Sequence, residues 1–410
     1  MSEKKLPFTK VQIEEIVTKY PTPFHIYSAA GIRATAREFQ AAFGSLPGYR
    51  NYFAVKALPN PAILRILKEE GMCADCSSLG ELILAERVGF TGEEIMFTSN
   101  DTPVADFQKA TDLGAIINFD DLSHIEFYEQ NIGSLPEVGC VRYNPGSLKA
   151  GNELIGHPEA AKYGLTREQI FEAFQIFKKK GIKRFGLHTM VASNELNADY
   201  FSETAEILLG LVAEIQAELG IQFEFVNLGG GIGIPYRPEQ QPVDLARVAA
   251  GVAAAQKQFD LSALKIVTES GRAVTGPHGY LVARALHEKQ IYKHYIGLDA
   301  CMSDLMRPAL YGAYHHITVL GREAAPATET YDITGSLCEN NDKFAIDRQL
   351  PKIAIGDLIV LHDTGAHGHA MGFNYNAKLR SAELLLHENG AVELIRRAET
   401  LEDYFATLEF

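Results

Sequence analysis

Residues 51–57 read Asn51-Tyr52-Phe53-Ala54-Val55-Lys56-Ala57: a run of apolar residues too short for a helix, with one amine near its end. Such a run predicts a buried strand. Further along, similar runs recur at Met72–Ser77, Glu94–Ser99, Ala115–Phe119, Val138–Tyr143, Arg184–Val191, Phe223–Leu228 and Lys265–Glu269. Amphipathic stretches such as Pro61–Gly71, Gly80–Gly89, Thr166–Gly181, Glu203–Gly220 and Asp244–Phe259 lie between them. Eight such alternations predict a closed, TIM-like (β/α)8 barrel over residues 33–277 rather than an open sheet.

Beyond residue 278 the pattern changes to β-like runs with little helix between them: Tyr280–Leu286, Ala313–Leu320, Glu329–Ile333, Asp357–His362 and Ala382–His387. A second, all-β domain is expected over 278–410. Phe24-His25-Ile26-Tyr27 is also strand-like; if it joins that domain, residues 1–32 belong to it and the domain is discontinuous.

The 410 residues are 46% apolar and 22% charged, enough for a barrel and a second module. A net charge of −14 argues against nucleic-acid or anionic-membrane partners. No stretch approaches 18 consecutive apolar residues, and the opening Met-Ser-Glu-Lys-Lys-Leu-Pro has no apolar core, so neither a transmembrane helix nor a signal peptide is expected. Five cysteines, an odd number, fit a reducing, cytoplasmic setting better than a disulfide framework.

The chemically interesting residues fall at the C-terminal ends of the predicted barrel strands, the face on which barrels carry their active sites. They are Lys56, Asp75, Arg142 with Asn144, His188, the glycines after strand seven, and Glu269. A desolvated lysine loses its charge and can condense with a carbonyl; a buried structural lysine is the plain alternative. Gly229, Gly230 and Gly231 can wrap a phosphate with unobstructed N–H groups, although a glycine triplet alone is as readily a turn. Glu269 can keep a pyridine nitrogen protonated, or simply pair with a surface cation. An aldehyde that carries both a phosphate and a pyridine is pyridoxal 5'-phosphate. Cys338 could donate a proton to a carbanion, although a lone cysteine is by default a small buried hydrophobe. Cys73 and Cys76 lack a second pair, and His362, His367 and His369 match no zinc spacing, so no metal site is expected.

A set of ordered segments now carries a resemblance. YFAVKA (52–57), DCSSLGE (75–81), RYNPG (142–146), KYGL (162–165), NLGGGIGIPY (227–236), ESGR (269–272), LMRPALYGAYH (305–315), GSLCENNDKFAIDR (335–348) and DTGAHGHAMGFNYNAKLRSAE (363–383) resemble the signature segments of diaminopimelate decarboxylases. These are members of the alanine-racemase-like, fold type III pyridoxal-phosphate decarboxylases. The resemblance implies decarboxylation of meso-diaminopimelate to L-lysine by a homodimer whose active sites lie at the subunit interface.

It further implies that Lys56 is the lysine that binds the cofactor aldehyde, and that Asp75 and Arg142 surround the cofactor with Gly229, Gly230, Gly231, Glu269 and Gly271. Arg272, Arg307 and Tyr311 would hold the distal end of the substrate. Cys338 would be the proton donor, and Glu339 would receive the distal ammonium. Three segments depart from the family pattern. Met190, Ala192 and Ser193 stand where the family has a ring-stacking histidine followed by Gly-Ser, leaving Met190 or His188 to cover the ring. Gly365-Ala366-His367 replaces Gly-Ala-Tyr, so Tyr375 could supply a nearby hydroxyl to cofactor or substrate. ESGR replaces Glu-Pro-Gly-Arg. Decarboxylation of ornithine, arginine or a D-amino acid is the nearest rival activity. Racemisation would need a tyrosine base that is not identifiable, and a non-catalytic binding protein would be expected to have lost the lysine or the glycines.

Overall fold

The computed structural model describes residues 4–149 and 158–410; the first three residues of the N-terminal segment discussed above lie outside that description. The chain divides into two compact units. One comprises residues 33–234 and 242–274, the other 1–32, 235–241 and 275–410.

The first strand, β1 (Phe24–Ser28), belongs to the second of these units and is buried throughout. The next eight are β2 (Arg50–Ala54), β3 (Cys73–Cys76), β4 (Ile95–Thr98), β5 (Ile116–Phe119), β6 (Val138–Tyr143), β7 (Arg184–Thr189), β8 (Phe223–Asn227) and β9 (Lys265–Thr268). They pair in parallel, each with the next, and β9 closes on β2. This is the expected closed barrel, with every strand within a few residues of its predicted place.

The sequence sets the local geometry of the barrel. Asn60 caps the helix Pro61–Glu69 by accepting from the Ala62 N–H, and Pro61 has no N–H to leave unsatisfied in the first turn. Thr166 and Gln169 form a reciprocal capping box at the start of helix Arg167–Lys179. Inside the barrel, Tyr52, Cys73, Met96, Ile116, Val138, Cys140, Phe225 and Val267 pack into one apolar cluster. Burying a ring such as Phe225 contributes roughly 2–3 kcal/mol. That packed layer makes the barrel a solid support for the residues at its C-terminal rim.

The other unit is built on β1 together with β10 (Gly279–Gln290), β11 (His294–Leu298), β12 (Ile317–Val319), β13 (Glu329–Thr334), β14 (Lys343–Leu350), β15 (Leu358–Leu361), β16 (Ala382–Leu386) and β17 (Val392–Arg396). β1 pairs antiparallel with β10 and parallel with β16, so the N-terminal strand does join this unit. β10 serves two cores through the two-residue period of a strand. Leu281, Ala283 and Ala285 enter one core, while Tyr280 and Val282 enter the other. The expected run Ala313–Leu320 is strand only over Ile317–Val319. Its first residues are held by side-chain contacts instead: Arg348 lies over the Tyr314 ring at 4.0 Å, and His315 meets Arg307. β11, β14 and β17 were not expected, and the unit is not all-β: helix Lys10–Lys19 packs within it, and the short helices Arg307–Tyr311 and Leu401–Phe405 also belong to it.

Candidate active site

The barrel rim gathers most of the predicted barrel residues, with corrections of detail. β2 stops at Ala54, and Lys56 sits in the one-turn 3-10 helix Val55–Ala57, exposed rather than buried. The expected desolvation of its amine is therefore not supplied by this chain, and the reading of Lys56 as a buried structural lysine falls as well. Gly271 packs against both sides of the turn: a Cβ there would lie 2.9 Å from Ala57 Cβ and 3.0 Å from Ala54 Cβ. Only a glycine allows that approach without displacement.

Glu269, just beyond β9, is buried and gripped on all sides. His188 Nε2 lies 3.1 Å from Oε2, and Asn227 Nδ2 donates to Oε1 at 2.7 Å. The Glu269 N–H donates to Gly229 O at 2.7 Å. Asn51 holds the segment from below: its Oδ1 accepts from Thr268 Oγ1 and Ser270 N, each at 2.8 Å. Burial works to raise the Glu269 carboxyl. The His188 ring and its hydrogen bond, then Asn227 and the charge of Lys56, outweigh burial and hold it below the ordinary range. Asp75 behaves oppositely. Burial first, and the neighbouring Glu269 charge second, push it well above the carboxylate range against the pull of Lys56 and Arg142. Burial likewise raises Glu81, whose Oε2 accepts from Ser77 N at 2.7 Å.

Arg142, His188 and Asn227 lie in one register row across β6, β7 and β8. Arg142 donates to Asp120 Oδ1 at 3.4 Å and to Met190 O at 3.3 Å. Asn144, by contrast, is a loop clip that donates to Pro158 O and Tyr163 O. Arg272 Nη2 reaches Ser193 Oγ at 3.3 Å, bringing those two predicted residues together.

The glycine loop is built to approach other backbone closely. Gly229 has φ of 69°, and a Cβ there would sit 2.2 Å from Thr189 O. Its N–H, however, donates to Asn227 Oδ1 at 2.9 Å and is not offered to a ligand. The Gly230 N–H faces only the weak acceptor Met190 Sδ at 3.2 Å, and the Gly231 N–H has no partner among the described residues. Of the triplet, then, Gly230 and Gly231 carry the donors for an anion. Of the two residues open for covering a ring, His188 is committed to Glu269, while Met190 is part-exposed beside the loop.

Pyridoxal phosphate fits this rim. N–H groups stand ready for a phosphate, a carboxylate held ionised can face a pyridinium, and an accessible amine stands at the mouth. Asp75 Oδ1 and His188 Nδ1 are buried without hydrogen-bond partners among the described residues, and such atoms call for a ligand or water.

The β unit places its own predicted residues as follows. Arg307 is buried, donates to His315 Nε2 at 2.8 Å, and stacks on Tyr236 at 4.5 Å. Tyr311 and Tyr375 are about half exposed, at 49% and 51%. Cys338 and Glu339 are exposed in a turn pinned by buried Asp342, which accepts from Met302 N at 2.6 Å and Leu337 N at 2.8 Å. The Cys338 N–H donates to Asn376 Oδ1 at 2.7 Å, so the Cys338 and Tyr375 segments adjoin. His367 takes a left-handed backbone in the loop between β15 and β16. His362 and His369 turn to separate partners, Thr318 for one and Ser381 for the other. Asn51, Glu81 and Asn227 escaped the sequence reading; Asn227, directly ahead of the glycines, had the clearest signal.

Comparison with known proteins agrees with this chemistry. Residues 29–276 match the family model described as the pyridoxal-dependent decarboxylase, pyridoxal-binding domain. The chain is 43% identical over 97% of its length to Protein TabA of Pseudomonas amygdali pv. tabaci, covering 94% of that protein. It is 33% identical over 95% of its length to the diaminopimelate decarboxylase of Methanothermobacter thermautotrophicus, covering 92% of it. The structure of the Helicobacter pylori diaminopimelate decarboxylase complexed with L-lysine superposes with a TM-score of 0.88 at 28% identity, covering 96% of this chain and 98% of that one. With an amine, a glycine loop and a buried carboxylate on one barrel rim, and with these relatives, the chain belongs to the fold type III pyridoxal-dependent decarboxylases.

Proposed function

We propose that this enzyme decarboxylates meso-diaminopimelate to L-lysine and CO₂, acting as a homodimer in the cytoplasm. The observation that carries the reading is the ionised, fully engaged Glu269 carboxylate on the same rim as Lys56 and the glycine loop. When bound, the pyridoxal ring supplies a sink for the electrons left behind by CO₂. Lys56 presents the amine that anchors the cofactor aldehyde, Gly230 and Gly231 donate to its phosphate, and Glu269 keeps a proton on the ring nitrogen. Arg307, with Tyr311 and Arg272, binds the distal carboxylate of the substrate, and Glu339 receives its distal ammonium. A buried guanidinium suits a carboxylate, and an exposed carboxylate suits an ammonium. Cys338 moves a proton onto the reacting carbon, and its exposure in the isolated chain fits a group offered to a second copy. Five free thiols accord with a reducing setting.

A second reading has one observation behind it. Identity is 43% to TabA against 33% to the diaminopimelate decarboxylase of Methanothermobacter thermautotrophicus. In that reading the substrate is another amino acid with a distal carboxylate or ammonium. Incubating the enzyme and pyridoxal phosphate with meso-diaminopimelate, its LL isomer, ornithine, arginine and lysine, and measuring CO₂ and product, decides between the two. Fastest turnover of meso-diaminopimelate supports the first reading; none with it refutes that reading.

A further inference from the structure

Asn227 is fully buried at the end of β8, and its side-chain amide spans two parts of the rim. Oδ1 accepts the Gly229 N–H at 2.9 Å, and Nδ2 donates to Glu269 Oε1 at 2.7 Å. The orientation of the amide is dictated by chemistry. A backbone N–H can only face the oxygen, which turns the NH₂ toward the carboxylate. The backbone runs the same link in reverse, because the Glu269 N–H donates to Gly229 O at 2.7 Å. The start of the anion loop and the ring-facing carboxylate are thus closed into a single cycle of direct hydrogen bonds that runs through the Asn227 and Glu269 side chains.

We propose that Asn227 is a positioning residue that couples the phosphate end of the cofactor site to its pyridine end. Seating of the phosphate on the loop then sets the height and angle of Glu269. The inference rests on the cofactor roles given above to Glu269 and the glycine loop. Neither aspartate nor serine can replace the amide. Aspartate keeps an acceptor for Gly229 but sets a second carboxylate against Glu269, and two carboxylates that close share a proton rather than both ionise. Serine is too short to reach both partners.

The test measures pyridoxal phosphate affinity and the absorbance of bound cofactor from pH 6 to pH 9. Wild type, Asn227→Asp and Asn227→Ser are compared, with circular dichroism to check folding. At pH 9, Asn227→Asp is expected to bind about tenfold or more weakly, recovering toward wild type at pH 6 as the new carboxyl gains a proton and donates to Glu269. Asn227→Ser is expected to lose about as much at every pH. A purely structural asparagine would leave the absorbance of cofactor-saturated Asn227→Ser, and its dependence on pH, as in wild type. Wild-type affinity in a folded Asn227→Ser protein, or an Asn227→Asp profile parallel to wild type, overturns the inference. Should Asn227→Asp not fold, the serine variant decides by the same criterion. A wild-type protein that binds no pyridoxal phosphate would instead overturn the cofactor roles themselves.

Discussion

His188 Nε2 stands 3.1 Å from Glu269 Oε2, and both residues are buried in the barrel rim. The contact commits the imidazole to the carboxylate, and together with Asn227 it engages both carboxylate oxygens. Replacing Glu269 by glutamine removes the charge that, in the proposed role, keeps a proton on the ring nitrogen. We expect kcat for Glu269→Gln to fall roughly a hundredfold or more, with near-normal folding, in a CO₂-release assay. A loss under threefold would remove Glu269 from its proposed role.

Lys56 is exposed in a tight turn, so truncating it should cost little stability. Lys56→Ala is expected to melt within a few degrees of wild type while losing the visible absorbance of bound cofactor and all measurable CO₂ release. Undiminished turnover would refute its assignment.

Lys56 and Cys338 lie in different units of the chain, and the proposed dimer would draw each working site from two copies. Mixing inactive Lys56→Ala and Cys338→Ala proteins under exchange conditions should restore about a quarter of wild-type activity, because half the dimers then carry one intact site of two. No recovery despite demonstrated subunit exchange would show that each chain supplies its own site.

Asp342 shapes the turn that carries Cys338 and Glu339, accepting from Leu337 N and Met302 N while itself buried. Asp342→Ala strands two backbone donors, at a cost of about 2–3 kcal/mol. Chemical denaturation should show that loss, and kcat should fall, as is expected of Cys338→Ser under the proposed role of the thiol. Unchanged activity in the stable fraction would separate the turn from catalysis.

Acid should weaken the β unit. Burial lowers His25 and His362 to about 3, and His278 and His316 to about 4. The folded state keeps these rings neutral while the unfolded chain protonates them below 6.5, so stability present above 6.5 drains away as the pH falls. Asp304 and Asp363, raised to about 6 by burial, oppose this because the fold protonates them before the unfolded chain does. Four histidines outweigh two carboxyls, and Tm is expected to drop by roughly 10 °C from pH 7 to pH 5 by calorimetry. A flat profile would contradict the burial assigned to the histidines.

The barrel was legible in the chain because each of its strands is short, apolar and buried on both faces, and needs no partner to declare itself. β14, with Ile346, Asp347 and Gln349 exposed, and β17, with no buried residue, lack that signal; they are strands only because β13 and β16 pair with them. Likewise, the residue types at Lys56, Glu269 and Gly229–Gly231 announced a phosphate-bearing aldehyde cofactor. Folding decided which of them does what: Gly229 gives its N–H to Asn227, Lys56 stands in the open, and Asn144 clips a loop. Composition and spacing specify which groups are present. Hydrogen-bond partners distant in sequence, such as His188 and Asn227 on Glu269, are settled only when closure of the barrel brings β7, β8 and β9 side by side.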